Sequence, residues 1–153
     1  MAAETPTVHA SAVLAGARAV LIRGPAGAGK SKLALALIDA AQAGLLAFAR
    51  LVGDDRVHLE PHHGRLVVRP APPLAGLIEV RGLGIRRLDH EPVAVVGLVV
   101  DLAADDAGRL PAGTAAVICG ISLPRLAVAA GAEASYPLLA RLRFPPGDIK
   151  PPS

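Results

Sequence analysis

Aromatic side chains are nearly missing from these 153 residues: there is no Trp, and Phe48, Tyr136 and Phe144 are the full complement. The core must therefore be assembled from Ala, Val, Leu and Ile, and no aromatic platform exists on which nucleobases could stack. Lys/Arg blocks are missing too, so the net charge of +3 gives only a weak preference for anionic partners and no support for nucleic acid. Cysteine occurs once, at Cys119, which excludes an internal disulfide. It lies in the apolar run 115–121 and reads as a small buried hydrophobe, with no nearby His to activate it. No apolar run approaches a membrane span; residues 93–100 are followed directly by Asp101. The N-terminus, Met1 to Pro6, lacks the basic and apolar regions of a signal peptide. These absences leave a cytoplasmic protein of one domain over residues 1–144, with a disordered tail at 145–153.

Glycine, by contrast, is plentiful, with 16 in the chain, and it is concentrated where it matters. Gly24-Pro25-Ala26-Gly27-Ala28-Gly29-Lys30-Ser31 is a complete G-x-x-x-x-G-K-[ST] element. In such a P-loop the glycines let successive N–H groups turn inward onto phosphate oxygens, the lysine brings a compact cation to the β- and γ-phosphates, and the serine hydroxyl ligates Mg²⁺. Its context fits: the apolar run 19–22 predicts a buried parallel strand before it. Residues 32–43 predict a helix packed on a sheet after it, and Gly44 is its expected stop. The expected fold is α/β, a mixed sheet with one clear strand–P-loop–helix unit.

The remainder reads as strand-rich. Residues 8–13 look extended, 45–52 form a second apolar run, and 56–59 with 66–69 flank a turn in a β-hairpin. Residues 93–100 and 115–123 are further strands, and 135–142 a short helix with Pro137 in its first turn.

Several residues have the chemistry a polyphosphate site needs. Asp54 and Asp55 follow the apolar run, where an acid can hold Mg²⁺ or accept a proton from an attacking hydroxyl; an Asp-rich turn is the plainer alternative. Glu79 could complete a Mg²⁺ shell, and Arg81 could neutralise a transferring phosphoryl group. Composition alone favours a Gly-containing loop with a charged rim over residues 79–85. Taken by itself, His9 reads as a structural residue, and His58, His62 and His63 read as surface residues without zinc-site spacing.

Taken together, the 24–31 element, Leu51-Val52-Gly53-Asp54-Asp55-Arg56-Val57 and Glu79-Val80-Arg81-Gly82-Leu83-Gly84-Ile85 resemble the HPr kinase/phosphorylase family over roughly residues 8–126. The resemblance implies an ATP- and Mg²⁺-dependent kinase that phosphorylates a serine of the phosphocarrier protein HPr, with pyrophosphate as an alternative donor and a homo-oligomer, commonly a hexamer. It makes Lys30 the phosphate-loop lysine, Ser31 and Glu79 the Mg²⁺ ligands, Asp55 the base with Asp54 in support, and His9 the residue that orients them. Arg109 matches a further catalytic arginine. Residues 121–125 match a segment associated with dephosphorylation only thinly, and Lys32 stands where the family usually has an acid. Two rivals are a small-molecule kinase on the same loop, which lacks an arginine-rich lid here, and a nucleotide-binding regulator without catalysis.

Overall fold

A computed structural model describes residues 6–107 and 115–146 of the chain. Among the described residues ten strands and two α-helices make a mixed α/β fold, with one helix near the start, the other at the end and a long run of strands between them. They are β1 (Thr7–Ala15), β2 (Arg18–Arg23), α1 (Lys30–Gln42), β3 (Ala49–Gly53), β4 (Arg56–His62), β5 (Arg65–Pro70), β6 (Leu77–Val80), β7 (Gly84–Arg87), β8 (Ala94–Leu102), β9 (Ala115–Ile118), β10 (Ile121–Val128) and α2 (Ser135–Arg143).

Eight strands form one sheet in the order β2-β1-β4-β5-β8-β10-β9, with β3 added to β1, and β2 also pairs with β8. That last pairing joins β2, β1, β4, β5 and β8 into a closed circuit with no open edge among them. Alternation along the strands sorts the core into two clusters. Ala10 and Ala12 of β1, Ala19 and Leu21 of β2, and Val57, Leu66, Val68 and Val96 line one face. Val13, Val20, Ile22, Leu98 and Val100 line the other, where α1 presents Leu33, Ala34 and Leu37. Alanines fill the circuit where an aromatic-rich chain would have placed rings.

Parallel pairing of β2 with β8 is what the buried run 19–22 leads one to expect. Helix α1 ends where Gly44 predicted, in a Schellman closure: Leu45 N–H donates to Ala40 O at 2.8 Å and Gly44 N–H to Ala41 O at 3.1 Å. The expected hairpin is β4–β5, but its turn is only two residues, His63 and Gly64, both with positive φ, so β4 runs on through Pro61.

Three expectations are corrected. Residues 115–123 are not one strand but the hairpin β9–β10, turning at Cys119 and Gly120, both at positive φ. Cys119 is consequently exposed rather than buried, because a two-residue turn projects its side chains outward. His58 is half-buried on β4 with its Nδ1 unpartnered, whereas His62 and His63 lie on the surface. The tail residues 147–153 lie outside the described residues.

Candidate active site

The 24–31 loop leaves the end of β2 and winds into the first turn of α1. Gly29 caps the helix at φ 99, a left-handed conformation that penalises any side chain. Gly24 packs tightly: a Cβ there would lie 3.0 Å from Leu102 Cβ and 3.2 Å from Ala28 Cβ, close enough to force those side chains to shift. Lys30 Nζ is folded back over the loop, donating to Gly24 O at 2.7 Å and Pro25 O at 3.2 Å.

Beneath the helix start sits Asp54, the one buried carboxylate among the described residues. Among the described residues only two polar or charged side chains are buried, Ser11 and Asp54 at 0% and 3% exposure. They touch: Ser11 Oγ donates to Asp54 Oδ1 at 2.6 Å. Ser31 Oγ donates to the same carboxylate, 2.7 Å from Oδ1 and 2.9 Å from Oδ2. The Glu79 amide, on β6, donates to Oδ2 at 3.2 Å. Asp54 is thereby a junction of β1, α1 and β6, and burial of its charge is offset by these donors. Since a serine hydroxyl has one proton, its donation to Asp54 leaves the Ser31 lone pairs free for a cation.

Asp55, the next residue, is exposed and at φ 69. Arg56 N–H donates to Asp54 O at 2.8 Å, an i→i+2 bond of the γ-turn kind that turns Asp55 away from the strand. The turn is pinned on both sides: Ala10 N–H donates to Asp55 O at 3.2 Å, and the Asp55 amide donates to Ser11 Oγ at a long 3.5 Å.

A cleft of about 680 Å³ opens along this edge, lined by Gly27, Gly29, Lys30, Ser31, Asp55, Glu79 and Arg81, with Lys32 beside them. The residues singled out in three separate stretches of the sequence thus meet at one surface. Glu79 and Arg81 reach it from the β6–β7 hairpin, a second, two-stranded sheet rather than a loop. Its turn carries Gly82 at φ 85 and Leu83 N–H donating to Val80 O at 2.9 Å, so the turn itself calls for glycine. His9 is exposed on β1 in register with Arg56, and no hydrogen bond joins it to either acid among the described residues. Arg109 lies outside the described residues.

On the far side of the loop a second cleft of about 470 Å³ runs between Gly27, Lys32, Leu102, Val128 and the start of α2. There Glu133 accepts hydrogen bonds from the Ser135 hydroxyl, the Ser135 amide at 2.7 Å and the Tyr136 amide at 2.9 Å. These bonds, the Ser135 hydroxyl first, hold the Glu133 carboxyl below its ordinary range.

Sequence reading missed Ser11, whose only signal is a hydroxyl among Ala10, Ala12 and Val13. It also missed an ion-pair network behind the loop. Arg23, the residue before Gly24, pairs bidentately with Asp101 at 2.7 and 2.8 Å. Arg125 Nε donates to Asp101 at 2.6 Å, and its other nitrogens pair with Asp106 at 2.7 and 3.0 Å. Arg125, on β10, is thus committed to tying β10 to β8.

Burial of Asp101 would raise its pKa, but the hydrogen bonds from Arg23 and Arg125 outweigh that and bring it below the ordinary 3.8. A depressed folded pKa means that the network's stabilisation is complete above the unfolded value and is lost as pH falls through the folded one. Acid titration followed by circular dichroism should therefore show wild-type stability falling below about pH 4 more steeply than that of Asp101→Asn. At neutral pH that variant should be less stable by about 1.5–3 kcal/mol, the worth of a charged hydrogen bond.

The family model described as HPr Serine kinase C-terminal domain matches residues 1–90. The chain belongs to that family. An HPr kinase/phosphorylase of Lacticaseibacillus casei (strain BL23) is 39% identical over 84 residues, 54% of this chain. That of Clostridium beijerinckii is 42% identical over 66 residues, 43% of the chain. The matches span only 24% and 20% of those relatives' lengths. Similarity of fold extends further: the HPr(Ser) kinase/phosphatase of Coxiella burnetii superposes with a TM-score of 0.72 at 27% identity, covering 91% of this chain and 93% of that one. The expected HPr kinase-like mixed α/β fold is therefore the fold observed. Among the described residues no helix is long and apolar enough to cross a membrane.

Proposed function

We propose that this chain is an ATP- and Mg²⁺-dependent protein kinase acting on a serine of an HPr-like phosphocarrier, in the cytoplasm and as a homo-oligomer. The observation that carries the reading is the single cleft where the 24–31 loop, Asp55, Glu79 and Arg81 converge. Inorganic pyrophosphate is the alternative donor, since the loop grips phosphates rather than a base.

The donor set suits Mg²⁺, which takes oxygen ligands: the Ser31 hydroxyl, with lone pairs to spare, and the exposed Glu79 carboxylate line the same cleft. Mg²⁺ bound there would neutralise charge on the donor's terminal phosphates. The loop amides and the Lys30 ammonium hold those phosphates, the lysine exchanging its bonds to Gly24 O and Pro25 O for phosphate oxygens. Asp55 takes the proton from the substrate serine as its oxygen bonds to the γ-phosphorus and the bond to the leaving diphosphate breaks. Arg81 offsets charge on the phosphoryl group in transit. Asp54 never meets substrate; it keeps Ser31 and the Asp55 turn in place.

Incubation with labelled ATP, Mg²⁺ and HPr should yield phosphoserine on HPr, detected by phosphopeptide mass spectrometry. Tight ATP binding without that product would reduce the chain to a nucleotide-binding regulator. Asp55→Asn should lower the rate on the order of 10²-fold or more, as for loss of a general base; full activity in that variant would remove Asp55 from the base role.

A further inference from the structure

We propose that Ser11 is a positioning residue of the site: its hydroxyl sets both the Asp54 carboxylate, which holds Ser31, and the Asp55 turn. The role rests on the reading above, in which Ser31 helps hold the cation and Asp55 faces the substrate. Ser11 shares a strand face with Val13, on the side of the sheet that α1 covers, whereas Ala10 and Ala12 face the closed circuit. That places a fully buried hydroxyl under the start of α1, beside the buried Asp54 carboxylate.

The hydroxyl uses both its capacities there. It donates to Asp54 Oδ1 at 2.6 Å and accepts from the Asp55 amide at 3.5 Å. Asp54 has three donor groups, Ser11 and Ser31 through their hydroxyls and Glu79 through its amide. Without Ser11, Oδ1 has Ser31 alone as its donor, and the carboxylate is free to rotate about its side chain and take the Ser31 hydroxyl with it. The Asp55 amide loses its acceptor in the same step. One atom thus couples the cation-holding hydroxyl to the base-bearing turn, as outer partners of metal ligands do elsewhere.

The test compares Ser11→Ala and Ser11→Thr with wild type. Mn²⁺–ATP binding followed by electron paramagnetic resonance should weaken about 10- to 100-fold in Ser11→Ala. Ser11→Thr, which restores the hydroxyl, should recover most of it. A Ser11→Ala protein that melts at a lower temperature but binds Mn²⁺–ATP as wild type does would make Ser11 merely structural and overturn the proposal. Hydrogen exchange at the Asp55 amide supplies a readout independent of any donor: it should accelerate in Ser11→Ala and return in Ser11→Thr. Unchanged exchange overturns the proposal even if wild type binds no nucleotide; absent nucleotide binding with accelerated exchange overturns the kinase reading alone.

Discussion

Lys30→Met should lower phosphoryl transfer on the order of 10²–10³-fold or more while leaving the fold intact. Two features make the effect large and specific. The loop's glycines and amides shape a concavity for phosphate, but only Lys30 adds a full cation from within the element, and a methionine of similar length keeps the packing of its stem. In the ligand-free arrangement its ammonium bonds to Gly24 O and Pro25 O, contacts at the partly exposed rim of the loop. Removing such bonds costs about 0.5–1.5 kcal/mol, so the melting temperature should move by only a few degrees. Paired measurements of HPr phosphorylation and thermal unfolding separate the two effects. Transfer at the wild-type rate by Lys30→Met would contradict the assigned use of the loop.

Leu37→Ala should have the largest effect on stability, about 2–5 kcal/mol, measured by urea denaturation. Leu37 is fully buried in the middle of α1, facing Val13, Val20, Ile22 and Val100 on the sheet. No aromatic ring in that cluster can swing into the space, because the cluster is built from aliphatic side chains alone. A domain of this size is stabilised by roughly 5–15 kcal/mol, so the loss is a large fraction of the total. Its consequence for the site is indirect but definite: α1 is the element that carries Lys30 and Ser31, and loosening its packing relaxes the loop that precedes it. A loss below about 1 kcal/mol would mean that α1 is not anchored through this cluster.

Much of the site was legible because its parts are local. A strand, a turn that needs positive φ at Gly29, and a helix stopped at Gly44 follow from short-range backbone chemistry, and so does the His63-Gly64 hairpin. Asp54, Asp55, Glu79 and Arg81 were found as charged residues beside glycine turns, although what distinguishes them lies outside their own segments. Local pattern also misled. Residues 115–123 are apolar except for Ser122 and read as one strand, yet the chain reverses at Cys119-Gly120 and exposes the cysteine. Hydropathy records which residues avoid water, not where a continuous apolar run folds back on itself.

The sequence by itself determined a family, a glycine-rich loop between a strand and a helix, and the residue types available around it. Only the tertiary structure decided which acid is buried and which faces the cleft. Period-two alternation says which face of β1 Ser11 occupies, but not that Asp54, 43 residues away, lies opposite it. The Arg23–Asp101 pair, 78 residues apart, likewise depends on the parallel register that closes β2 onto β8. Such partners are set by strand pairing across the whole chain, where burial leaves a carboxylate no choice but to find its donors. Buried Asp54 and outward-turned Asp55 are adjacent in sequence and opposite in environment, and only packing separates them.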